Sequence, residues 1–160
     1  MWDYQAQQSF DALKEALIST PLLSAPNYSR NFLLYLVALP SSLGMVLVQT
    51  HEDRSENVIY YMPKGLAGPK LRYSHVEKLS LVVVFAVNQF QHCILLRQTT
   101  VIALENPMRH ILSCQVIGGK YSKWIVILQQ FDLVFTAAKA KNSLVFSELC
   151  SIFSLSILMR

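Results

Sequence analysis

The chain has 160 residues, 52% hydrophobic and 15% charged, with a formal net charge of +4. That length and apolar content suit one sizeable core and exclude two, and the charged fraction, below the roughly 25% usual for soluble domains, points to a module with apolar surface meant for a neighbour. No apolar run reaches the roughly 18 to 20 residues of a membrane span, and the N-terminus lacks the basic-then-apolar profile of a secretory signal, so neither a membrane partner nor secretion is expected.

Taken in chain order, Gln7 to Ile18 reads as a short amphipathic helix with Phe10, Leu13 and Leu17 on one face, stopped by Thr20-Pro21. Pro26 to Arg30 is a polar turn. Asn31 to Ala38, Leu43 to Gln49 and Val58 to Met62 read as strands, separated by a break at Leu39 to Ser42 and a charged hairpin turn at His51 to Asn57. Gly65 to Lys70 is a Gly/Pro loop.

The block Leu71 to Leu96 is the clearest helix in the chain. Ser74 with Glu77 three residues later makes a capping box, in which each side chain satisfies an amide of the other's turn. Val76, Leu79, Val83, Ala86, Phe90 and Cys93 follow at three-four spacing. Val82 to Val87 is apolar all round, so the helix should lie beneath other elements. Beyond it, Thr99 to Leu104 is a fourth strand, Pro107 to Ser113 a helix with Pro in its first turn, and Gly118-Gly119 opens a further helix carrying Trp124, Ile127 and Leu128. Leu133 to Ala137 is a fifth strand and Asn142 to Leu149 a terminal helix.

Three widely spaced cysteines, Cys93, Cys114 and Cys150, fit reduced thiols in an intracellular compartment better than a disulfide framework. His110 and Cys114 lie one helical turn apart but have no second pair to complete a zinc site. Gly118-Gly119-Lys120 at a helix start could hold a phosphate, although a plain helix entry accounts for it.

Several words of this sequence, in order, carry a resemblance. RYSHVEKL resembles the Arg-Tyr-Ser-x-x-Glu-Lys-Glu helix of the ribonuclease H domain in gypsy-type LTR retrotransposon polyproteins. FLLYLVALPSSLGMVLVQ, Ile59-Tyr60-Tyr61 with Lys64 and Leu66, NPMRHILS and GGKYSKWIVILQQFDLVF are similar to further words of that family. The tone is that of plant elements. The match runs from Trp2 to about Leu149. It implies an α/β, ribonuclease H-like fold: a mixed five-stranded sheet flanked by helices. The domain plan it implies is a connecting helical segment from the reverse transcriptase (1–30), a ribonuclease H-like domain (31–149) and an unmatched apolar tail (150–160).

The family's chemistry needs four carboxylates holding two Mg²⁺ ions, one to generate hydroxide and one to stabilise the leaving oxygen. Carried over position by position, those acids fall on Val37, Leu79, Leu104 and Ser147. No cofactor is therefore expected. Glu77 lies roughly 200° round the helix from position 79 and is used by the cap. Glu105 and Glu148 are the nearest replacements, and ligand geometry is too demanding for either to restore the site by adjacency alone.

The resemblance implies a degenerate domain acting as a structural tether, with the reverse transcriptase and downstream polyprotein domains as partners. It also implies weak, backbone-directed contact with an RNA/DNA hybrid through Lys120, Lys123, Lys139 and Lys141. Its place would be the cytoplasm or virus-like particles. Two alternatives stay open. One is an active magnesium-dependent ribonuclease H that recruits Glu105 and Glu148. The other is a non-functional relic of a decayed element, as Pro40, the short segment Lys139 to Ser143 and the unmatched tail suggest.

Overall fold

A computed structural model describes residues 7–8, 10–11, 23–113 and 119–138 of the chain. Within these, Phe32–Ala38 (β1), Ser42–Thr50 (β2) and Glu56–Gly65 (β3) form an antiparallel meander. The helix His75–Ile94 (α1) then crosses to Thr99–Ala103 (β4), which pairs parallel with β1. Pro107–Ser113 (α2) and Lys120–Leu128 (α3) lead to Leu133–Ala137 (β5), parallel to β4. The sheet order is β3-β2-β1-β4-β5, a mixed five-stranded sheet with helices, as expected.

The central strands are apolar at nearly every position because both of their faces are covered. In β1, Phe32, Leu34 and Leu36 point to the α1 side. They meet Leu43, Met45 and Leu47 of β2 and Leu79, Val83, Ala86, Val87 and Phe90 of the helix. Tyr35 and Val37 point the other way, into a smaller cluster with Val46, Val48 and Ile102. α1 folds as its sequence requires: the Glu77 amide donates to Ser74 Oγ at 3.3 Å, and the Ser74 amide donates to Glu77 Oε2 at 2.9 Å. Each large side chain fully buried beneath it contributes about 1.5–3 kcal/mol.

Three differences from the expected boundaries matter most. β3 runs to Gly65 rather than Met62, through Pro63, because it is the edge strand and one of its sides needs no amide donor. The expected Gly/Pro loop tightens into a 3-10 turn, Gly68–Arg72, entered by Gly68 at a φ of 60°. β4 ends at Ala103, leaving Leu104 just beyond the ladder. In the β2–β3 turn, Asp53 accepts from the Ser55 amide at 2.9 Å, and Arg54 takes a φ of 65°.

The sequence also gave no hint of how the polar turn before β1 is held. The buried Gln49 amide accepts from the Asn27 amide at 2.8 Å and donates to the Asn27 and Arg30 carbonyls at 2.8 and 3.3 Å. Residues 7, 8, 10 and 11 are helical, consistent with the start of the expected N-terminal helix. The rest of that helix, the terminal helix and the apolar tail lie outside the described residues.

Candidate functional site

The parallel pairing of β1 with β4 decides where two of the positions expected from the resemblance to hold acids come to lie. Tyr35 sits beside Ile102, and continuing that register brings Val37 beside Leu104 at the carboxyl ends of the two strands. Val37 is buried in the smaller cluster, whereas Leu104 is 61% exposed. Leu79 lies on the opposite side of the sheet, wholly enclosed in the large core. Ser147 and Glu148 lie outside the described residues.

Leu104 borders an open groove of about 610 Å³, lined also by Val76, Glu105, Asn106, Arg109, His110, Ser113 and Ala137. Glu105 is the one carboxylate among those side chains. Asn106 caps α2, its Oδ1 accepting from the Met108 and Arg109 amides at 3.0 and 3.3 Å. Among the described residues no group of three or more His, Cys, Asp or Glu side chains is gathered closely enough to hold a metal ion.

A second polar site is built at the start of α1. Glu77 does more than close the capping box: its Oε1 accepts from the Tyr121 hydroxyl at 2.9 Å and from Lys120 Nζ at 3.2 Å. Lys120 Nζ lies 3.8 Å from the centre of the Tyr73 ring, 5.0 Å from Tyr121 and 5.6 Å from Trp124. The ammonium is thus held by a carboxylate and the negative faces of three rings. The Ser74 amide, followed by the Tyr121 hydroxyl and Lys120, outweighs partial burial and draws the Glu77 carboxyl down to about 2. Gly119 caps α3 at a φ of 73°, a backbone that favours glycine and sets Lys120 at the helix start.

The four lysines expected to meet nucleic acid therefore divide. Lys120 is engaged within the fold, Lys123 is exposed on α3, and Lys139 and Lys141 lie outside the described residues. Trp124 is buried in the core, as its spacing suggested. His51, in the β2–β3 turn, bonds Asn57, and His92 packs edge-on against Tyr60. Sequence reading missed Lys78, which is 7% exposed and donates from Nζ to the Pro40 carbonyl at 2.7 Å, tying α1 to the β1–β2 turn. Its place between Glu77 and the core residue Leu79 was the only available signal.

The model of the RNase H-like domain found in reverse transcriptase matches residues 2–101. The chain belongs to that family. It is 29% identical over 136 residues to the retrovirus-related Pol polyprotein of transposon 297 from Drosophila melanogaster, a match covering 85% of this chain and 12% of the polyprotein. It is 26% identical over 91 residues to the transposon Tf2-3 polyprotein of Schizosaccharomyces pombe, covering 57% of this chain and 7% of that one. This RNase H-like chain thus spans about an eighth or less of the length of these relatives.

Its fold is similar to that of the foamy viral protease-reverse transcriptase. The dRH form in complex with double-stranded DNA matches with a TM-score of 0.65 at 15% identity, covering 88% of this chain and 25% of that one. The form in complex with an RNA/DNA hybrid matches with a TM-score of 0.62 at 14% identity, covering 88% and 19%. The Mg²⁺ ions of the ribonuclease H reaction require anionic oxygen donors. The alkyl side chains of Val37, Leu79 and Leu104 supply none, so these three positions do not fit the metals.

Proposed function

We propose that this RNase H-like domain is catalytically inactive and serves as a structural tether inside a retrotransposon polyprotein, between the reverse transcriptase and the domains that follow. The observation that carries the proposal is the chemistry of the acid positions. Val37 and Leu79 are buried in opposite apolar clusters, and Leu104 faces a groove in which Glu105 is the one carboxylate among the described lining residues. A two-metal mechanism needs ligands that offset the desolvation of each ion and hold it beside the scissile phosphate, and alkyl groups do neither.

The wording of the helix and strand motifs supports a gypsy-type origin with a plant-like tone, and an intracellular site in the cytoplasm or virus-like particles. Contact with an RNA/DNA hybrid through Lys120, Lys123, Lys139 and Lys141 belongs to the same proposal. The complex of the foamy viral enzyme with such a hybrid supports it by analogy of fold. Lys123 is the exposed member of the described pair, while Lys120 would have to leave Glu77 to take part.

The test is titration of the purified chain with a fluorescent RNA/DNA hybrid, with and without magnesium, following anisotropy and cleavage together. Binding without cleavage is the expected result. Magnesium-dependent cleavage would overturn the proposal in favour of a site recruiting Glu105 and Glu148. Absence of binding at moderate salt would remove the hybrid contact and favour a relic.

A further inference from the structure

The end of β3 and the 3-10 turn form a basic surface that neither the strand-end groove nor the α3 lysines include. From Asn57 to Val76 the chain carries Lys64, Lys70 and Arg72 and no Asp or Glu. All three side chains are exposed. β3 delivers Lys64 to the sheet edge, and the turn at Gly68-Pro69 brings Lys70 back to the same place. Their Nζ atoms lie 5.5 and 5.3 Å from the centre of one ring, that of Phe85 in the middle of α1. Among the described residues no carboxylate lies within ion-pair distance of Lys64, Lys70 or Arg72. The acid nearest in sequence, Glu77, is already engaged with Ser74, Lys120 and Tyr121.

The ring offsets only part of the positive charge of the two ammoniums beside it. An external anion would remove the rest. We infer that Lys64, Lys70 and Arg72 form a phosphate-contact surface for a nucleic-acid duplex, the two lysines meeting neighbouring phosphates of one strand. A strand carries a charge every ~3.4 Å along its axis, so a surface with several exposed cations and no acid suits it. The contact is to the backbone, because exposed ammoniums outside any groove-entering element meet phosphate oxygens as point charges. A folded acidic protein fits less well: Leu71 is the one large exposed apolar side chain in the stretch, and such interfaces depend on buried aromatic or aliphatic anchors.

This inference rests on the proposed hybrid contact and adds to it a surface on the opposite sequence side of α1 from the α3 lysines. The test uses the full chain and a fluorescein-labelled RNA/DNA hybrid, read by anisotropy from about 50 to about 200 mM salt. Lys64→Glu/Lys70→Glu should weaken binding about tenfold or more at the lower salt and reduce the salt slope by about two. Lys64→Gln/Lys70→Gln should give a smaller loss in the same direction. Arg54→Asp, a single reversal in the distant β2–β3 turn, should weaken binding less than Lys64→Glu alone. Circular dichroism checks that each variant remains folded.

Equal effects of Arg54→Asp and Lys64→Glu would overturn the inference, since only net charge would then matter. Binding lost on Lys123→Glu/Lys139→Glu/Lys141→Glu but kept by Lys64→Glu/Lys70→Glu would also overturn it, while leaving the hybrid contact standing. No binding by the unaltered chain, even at the lower salt, would overturn both. Displacement of the hybrid by polyglutamate at equal charge concentration would reassign the surface to an acidic partner.

Discussion

Two regions of the molecule, the start of α1 and the carboxyl ends of β1 and β4, have opposite chemistry. At the start of α1, polar residues are fully used: Ser74 and Glu77 cap each other, and Lys120 and Tyr121 complete the carboxylate's partners. At the carboxyl ends of β1 and β4 stand Val37 and the exposed Leu104, with Leu79 enclosed in the core on the other side of the sheet. In the first region charged groups are used by the fold, and in the second alkyl groups stand where the resemblance leads one to expect acids. Charged groups that stabilise the native state remain under the demands of folding, whereas buried carboxylates without metals only cost free energy.

The largest expected effect comes from reversing that difference. Leu79→Glu places a carboxylate in a fully enclosed apolar site and should cost about 4 kcal/mol or more, read as a fall in the thermal midpoint. If the loss were under about 1 kcal/mol, the core around position 79 would have to be open to water, and the contrast between the two ends would collapse. Phe90→Ala, in the same core and stacked with Tyr60, should cost about 3–5 kcal/mol through the cavity it leaves.

At the polar end, Glu77→Gln weakens the cap and removes the Lys120 ion pair, with an expected cost of about 1–2 kcal/mol in chemical denaturation at neutral pH. Its pH signature is distinctive. The Glu77 carboxyl ionises at about 2 when folded, against an ordinary 4.5, so its contribution is present above about 4.5 and lost as pH falls towards 2. Comparing acid unfolding of the two proteins should show their difference in stability shrinking across that window; a constant difference would place the role of Glu77 in packing alone. The smallest effect belongs to Leu104→Asp. That side chain is exposed, so stability should change by no more than about 0.5 kcal/mol. A large loss would mean that the groove is covered in solution.

Much of the architecture was legible beforehand because it follows local rules. The capping box, the three-four spacing of α1 and the β-branched runs each specify their own element, and the resemblance supplied the fold class. The end of β3 was not legible, since Pro63 and Gly65 read as a loop until the strand's edge position is known. Nor was the state of Lys120. Its sequence neighbours suggested an exposed cation, but Glu77, 43 residues away, and the Tyr73 ring claim it once α1 and α3 pack. Lys64 and Lys70 likewise look like ordinary loop lysines until Phe85 gathers them.

The sequence by itself determined most of the helical and strand segments and the absence of acids at positions 37, 79, 104 and 147, because each is a property of residue type and short-range periodicity. The tertiary structure alone decided which polar groups are occupied and which are free. Charges separated by dozens of residues, such as Glu77 and Lys120, meet only once packing brings their elements together.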